Sequence, residues 1–131
     1  QDLNRFLPII IKGCIKNKKF PCSKGNQSRS FVHVEDVVDA ILKSLTNKSA
    51  RGQIMNIGSE KPIKIRKIIE DVKKILKGGY PQFGIIKLRK DEILKLYPSI
   101  KKAENKINWR PKISFNRGLK STIKFYYEQA I

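Results

Sequence analysis

Gln27-Ser28-Arg29-Ser30-Phe31-Val32-His33-Val34-Glu35-Asp36-Val37-Val38 is the stretch that decides the fold class of this chain. Ser28 to Val34 has β-branched and aromatic content, which predicts a strand over 28–34. Glu35 and Asp36 then put negative charge where the positive end of a helix would lie. Val37, Val38, Ile41, Leu42 and Leu45 follow as the apolar stripe, read as a buried one, of a helix reaching about Thr46. A strand that feeds a helix is the repeating unit of α/β proteins.

The alternation continues outward in both directions. Toward the N-terminus, Asn4 is placed to cap a helix running to about Lys16. Phe6, Leu7, Ile10, Ile11 and Cys14 share one face of it, and Pro8 is near enough to its start to be tolerated. Residues 18–22 predict a short extended segment closed by the turn Ser23-Lys24-Gly25-Asn26. Toward the C-terminus come a polar loop over 47–52 and a strand over 53–57, ended by Gly58-Ser59-Glu60-Lys61-Pro62. A helix over 65–76 follows, stopped by Gly78-Gly79, and then a short strand over 84–88. Ser99 and Ser114 are placed to cap two more helices, the first ending near Ile107 and the second presenting Leu119, Ile123 and Tyr126 on one face. The fold class is mixed α/β. With 131 residues and no repeat, heptad or linker, a single domain over 1–131 is expected.

Composition narrows the function classes. Forty per cent hydrophobic and 8% aromatic residues suit a globular domain. No apolar run approaches the roughly 18 residues of a membrane span, so no membrane partner is expected. Asp2, Asn4 and Arg5 precede any apolar stretch, unlike a signal peptide, which makes the cytoplasm the expected compartment. Cys14 and Cys22 have no metal-like spacing with the single His33, and no metal site is expected. The net charge of +18 invites a nucleic-acid reading. Against it, the cations are mostly lysines scattered through every predicted element, and only seven are the arginines that base recognition prefers. The charge should still draw phosphate-bearing ligands and some non-specific polyanion binding.

Catalytic chemistry is not visible in the residues. No Ser or Cys stands in a nucleophile signature, and Glu35, Asp36, Asp39, Glu70 and Asp71 are accounted for as helix-start or solvated-face charges. Trp109 and Pro111 read as a core anchor and a rigid turn. Binding is the better case. Arg29 lies just before an apolar strand that would hold its backbone, where a guanidinium can grip a diphosphate by paired, charge-assisted hydrogen bonds; an exposed arginine at a strand start is the alternative.

Four signatures in this order, Gln27 to Val38, Asn56-Ile57-Gly58-Ser59, Arg89-Lys90-Asp91-Glu92 and Asn108-Trp109-Arg110-Pro111-Lys112, resemble the C-terminal part of the extended short-chain dehydrogenase/reductase family, the NAD-dependent nucleotide-sugar epimerases and dehydratases. The resemblance implies a small mixed α/β substrate-binding portion of a Rossmann-type enzyme, with the Rossmann domain itself absent. The Gly-rich dinucleotide fingerprint is missing and the catalytic Tyr-Lys pair is read as missing too. No cofactor is therefore expected on this chain, whereas NAD or NADP is expected in the full-length enzyme. There the cofactor oxidises the sugar transiently, often at C4, and this chain alone would have no turnover.

What the resemblance implies residue by residue is a grip on the nucleotide end of the substrate. Arg29 matches an arginine on the diphosphate, and Arg89 with Glu92 matches a pair on diphosphate and ribose. Asn56 matches the asparagine of Asn-Ile/Val-Gly-Ser, and Phe20, Pro21 and Ser23 match the segment over which the base lies. For Arg89 and Glu92 a surface-loop role is the alternative, for Asn56 a structural turn, and for Phe20, Pro21 and Ser23 a simple β-turn. Three departures stand out: Ser30 replaces a usual Asp, Asp91 a usual Gly, and Ser99 a usual Asp. The expected partners are a nucleotide sugar and the missing Rossmann domain, whose sheet would cover the helix stripe from Val37 to Leu45. Uncovered, that stripe predicts marginal stability and self-association. The rival readings are a free-standing basic module that binds nucleic acid, and a degenerate relic of the enzyme.

Overall fold

A computed structural model describes residues 5–130, which divide into two compact units. The elements in chain order are α1 (Phe6–Ile15), β1 (Lys19–Cys22), β2 (Ser28–Arg29), α2 (Val34–Thr46), a 3-10 turn (Lys48–Ala50), β3 (Ile63–Lys64), α3 (Ile65–Leu76), β4 (Tyr80–Phe83), β5 (Lys95–Leu96), α4 (Lys101–Ile107) and α5 (Phe115–Ala130). The first unit takes residues 5–28, 63–94 and 119–130; the second takes 29–62 and 95–118.

In the first unit, α1 buries Ile10, Ile11 and Cys14 on one face, as its spacing predicts, and carries Pro8 in its first turn, where no intrahelical N–H is needed. Asn4, the expected cap, lies outside the described residues. Helix α3 buries Ile65, Ile68, Ile69 and Val72. It ends on Lys77 in the left-handed region (φ 52°), one residue before the expected Gly78. Strands β1 and β4 pair in parallel, in the register Lys19↔Tyr80 through Cys22↔Phe83. Gly13 lets β1 lie against α1, because a Cβ there would come within 2.4 Å of the Phe20 ring.

The expected strand over 84–88 is displaced, since the strand is Tyr80–Phe83. Pro81 argues against a strand at that place, yet each strand of a two-stranded sheet is an edge, where a missing N–H costs nothing. Pro21 in β1 is tolerated for the same reason. The two-residue strands β3 and β5 are too short to announce themselves in sequence.

In the second unit the core gathers Ala40 of α2, Ile100, Ala103 and Ile107 around α4, and the fully buried Trp109. The Trp109 indole N–H donates to the Asp36 carbonyl at 2.9 Å. The strand expected over 28–34 stops at Arg29. His33 is instead the N-cap of α2, its Nδ1 accepting the Glu35 N–H at 3.3 Å. Residues 53–57 join no ladder, so the strand predicted there is also absent, although Met55 and Ile57 still pack on the core. Ser99 does not cap α4; Ile100 holds the N-cap position without a side-chain bond. Ser114 does cap α5, its hydroxyl accepting the Arg117 N–H at 3.4 Å.

Helix α2 leaves its stripe open, the outcome expected of the chain without a covering domain rather than of a stripe buried within it. Its apolar stripe is not buried: Ile41 is 54%, Leu42 57% and Leu45 78% exposed, while the buried residues are Ala40 and Asp36.

Candidate functional site

Arg29 forms the end of β2 and is half-buried. The apolar residues after it hold it in a way other than the expected strand. Phe31 meets Phe115 edge to face at 5.7 Å, Val32 packs on the core, and His33 caps α2. Ser30 reaches a distant segment: its hydroxyl oxygen accepts the Ser59 N–H at 2.9 Å. Beside it Gly58 is buried so tightly that an added Cβ would sit 2.6 Å from Pro98 Cγ and 3.1 Å from the Ser30 oxygen. Glu60 accepts the Ile100 N–H at 3.2 Å. These contacts bring the Arg29 segment and the Asn56 segment together within the second unit. Asn56 itself is exposed.

The other predicted residues belong to the first unit. Arg89 and Glu92 bracket a tight turn closed by the Glu92 N–H donating to the Arg89 carbonyl at 3.2 Å, with Arg89 exposed and Glu92 half-buried. Asp91 is not among the residues with positive φ, so the turn forms without the glycine. Both ends of this loop are fixed, by Ile86 N–H to the Cys22 carbonyl (3.0 Å) and Ser28 N–H to the Leu94 carbonyl (2.7 Å). Phe20 is buried against Gly13, whereas Pro21 is exposed and Ser23 half-buried. The Ser23 hydroxyl works inside its loop, accepting from the Gly25 N–H (3.2 Å) and the Gln27 side-chain amide (3.0 Å).

Several groups are excluded from chemistry by their surroundings. Burial pushes the Cys14 thiol up to about 11, against a smaller opposing pull from Lys73, and raises Cys22 as well. Neither is a thiolate near neutral pH. Among the described residues no three His, Cys, Asp or Glu side chains cluster as metal ligands, and no helix is long and apolar enough to cross a membrane. The first amides of α3, reached through the Gly25 loop, are already taken: Ile65 donates to the Gln27 carbonyl and Arg66 to that of Gly25. That helix start therefore does not fit a dinucleotide phosphate.

The Tyr-x-x-x-Lys spacing, read as missing from the sequence, does occur once, at Tyr97 and Lys101. Tyr97 follows β5 and Lys101 opens α4, with Pro98 and the N-cap Ile100 between them. Tyr97 and Lys101 therefore do not sit one turn apart on a single helix, the arrangement in which this spacing puts two side chains side by side.

The sequence also conceals Asp36. Its carboxylate, 3% exposed, accepts the N–H groups of Lys112 and Ile113, each at 3.0 Å. The outer side of α2 bounds an apolar groove of about 360 Å³ with Val37, Ile41, Leu45, Met55 and Ile57 in its walls.

Residues 1–58 match the model of the NAD dependent epimerase/dehydratase family. The chain is 31% identical over 105 residues to a UDP-glucuronate 4-epimerase of Thermodesulfobacterium geofontis, covering 79% of this chain and 32% of that one. It is 26% identical over 121 residues to the CDP-abequose synthase of Salmonella muenchen, covering 91% and 41%. Its fold superposes on the UDP-glucose 4-epimerase of Thermotoga maritima, solved with UDP-glucose, with a TM-score of 0.86 at 23% identity over 97% of this chain and 40% of that one. The chain thus spans about a third to two fifths of the length of these relatives.

Proposed function

Because this chain is homologous to the C-terminal part of extended short-chain dehydrogenase/reductase enzymes of the NAD dependent epimerase/dehydratase family, we propose that it binds the nucleoside-diphosphate end of a nucleotide sugar. Arg29 and Arg89 supply the positive charge for the diphosphate, Glu92 accepts from the ribose hydroxyls, and Asn56 offers an amide that both donates and accepts. The base lies along Phe20, Pro21 and Ser23, met by the exposed Pro21 and by backbone. The observation that carries this reading is the Ser30–Ser59 hydrogen bond. It joins two signature segments 29 residues apart into one surface of the second unit. NAD or NADP is held by another portion of the parent enzyme, whose apolar sheet covers the exposed α2 face, and the setting is the cytoplasm. This chain performs no turnover by itself.

Titration calorimetry with UDP, CDP and dTDP against their nucleosides tests the reading. The expected result is a clear preference for one diphosphate. Arg29→Ala and Arg89→Ala should each weaken it by about tenfold or more, the scale of a charge-assisted hydrogen-bond pair. Equal binding of nucleoside and diphosphate, or indifference to both substitutions, would overturn it.

The net charge of +18 supports a second reading, a basic nucleic-acid module. That reading requires steeply salt-dependent oligonucleotide binding that survives Arg29→Ala. Against a relic, two of the three departures keep a place in the structure: Ser30 is bonded and Asp91 sits in an intact turn.

A further inference from the structure

His33 is the chain's single histidine, and it stands in extended backbone immediately before α2. Histidine is the one side chain whose ordinary charge change falls between about pH 5 and 8. Any structural bond it makes is therefore open to pH.

Three contacts fix His33 within the second unit. Its backbone carbonyl accepts the Val37 N–H at 3.2 Å, the first backbone bond of α2. Its Nδ1 accepts the Glu35 N–H at 3.3 Å, which satisfies one of the amides that a helix start leaves free. The other edge of the ring lies on α5, where a Cβ added to Gly118 would come within 3.1 Å of His33 Cδ2. The bare Gly118 backbone seats one ring edge and α2 the other, so a ring turned over would offer carbon to the Glu35 amide.

We propose that His33 is a pH-operated cap of α2, holding the first turn when neutral and releasing it when protonated. Nδ1 accepts the Glu35 N–H only while it carries no proton. Once protonated it is a donor, and two donors facing each other repel. The imidazolium also sets positive charge at the positive end of the helix. The charged side chains on the turns nearest the ring are Glu35, Asp36 and Asp39 on α2, Lys112 before α5, and Arg117 beside Gly118. The Asp36 carboxylate is committed to the Lys112 and Ile113 amides, and Asp39 lies near Lys43 and Lys112. That leaves Glu35 to favour the charged ring and Arg117 to oppose it, both exposed and screened by solvent. The lost cap outweighs them. The turn that is released carries Val34 and Val38, 66% and 47% exposed, so acidification loosens one end of the uncovered α2 face.

The test is an NMR titration of the full chain from about pH 8 down to about pH 5.5. At its upper end the ring nitrogens should show the tautomer protonated on Nε2, with Nδ1 free to accept. The Glu35 amide proton should move upfield on acidification, with the same midpoint as the His33 ring protons. A proton on Nδ1 in the neutral ring, or a Glu35 amide that ignores the His33 titration, would refute the cap.

Urea unfolding over the same range supplies the second readout. His33→Asn keeps an acceptor at this position but does not titrate, so it carries the same background of carboxylate titration as the parent. On acidification the unfolding equilibrium constant should rise about three- to tenfold more in the parent than in His33→Asn, the range of one lost cap. His33→Ala should resemble the acidified parent throughout. Equal pH dependence in the parent and His33→Asn would mean that the neighbouring charges compensate, and the switch would be overturned.

Discussion

Asp36 carries more of the second unit than its place in the chain suggests. In sequence it is one of two acids at a helix start, and that role accounts for it fully. Its partners, the amides of Lys112 and Ile113, are 76 and 77 residues away, and local reading cannot reach them. Asp36→Ala would strand two inward-facing N–H groups, so we expect a loss of about 3 kcal/mol in urea unfolding, with Asp36→Asn intermediate. Cys14 gives a residue-level effect with a sign. Its folded pKa of about 11 lies above the ordinary 9.0, so the unfolded chain releases the proton first as pH rises. The stability this thiol contributes is complete below pH 9 and is lost between about 9 and 11. Urea titrations across that window should show the decline, and Cys14→Ala should flatten it relative to the parent. The residues after Arg29 show how far a local pattern reaches: the strand expected of them is replaced by the Phe31–Phe115 ring contact, the His33 cap and the Ser59 N–H donated to Ser30.

At the scale of elements, α3 was the most legible, because its isoleucines repeat at helical spacing and all but the last turn bury them. The same spacing in α2 marks a true helix yet gives no sign of which face this chain covers. Periodicity reports that a face wants a partner, not that it has one. Strand β4 was missed because its Pro81 is tolerated only at a sheet edge, which local composition does not reveal, and residues 53–57 have strand composition without a neighbour to pair with. The α2 face also has a measurable consequence. At rising concentration the chain should self-associate in light scattering, and Leu42→Lys with Leu45→Lys should suppress this. Both side chains are more than half exposed, so their replacement should move the unfolding free energy by no more than about 0.5 kcal/mol each. A large loss of stability, or undiminished association, would count against an uncovered interface.

Over the whole molecule, 29 cationic side chains face 11 acidic ones, and ion pairs such as Arg66–Glu70, Lys67–Asp71 and Lys124–Glu128 are surface contacts one helical turn apart. Such pairs stabilise little, and the surplus charge repels itself. Raising sodium chloride from about 0.02 to about 0.5 M should therefore lift the thermal midpoint, by about 3–6 °C for an effect on the order of 1 kcal/mol. A flat or falling midpoint would mean that the lysines are already compensated. The division into two units has its own consequence. The chain passes from one to the other at residues 28/29, 62/63, 94/95 and 118/119, the last within α5. No single proteolytic cut can separate the two. On the ribosome, the first unit has to wait for Leu119, Ile123 and Tyr126, residues it buries last although its opening helix is made first. Whatever apolar surface those three residues cover therefore stays open until the end of this stretch is made, and a nascent chain of this design is a natural client for a holding chaperone.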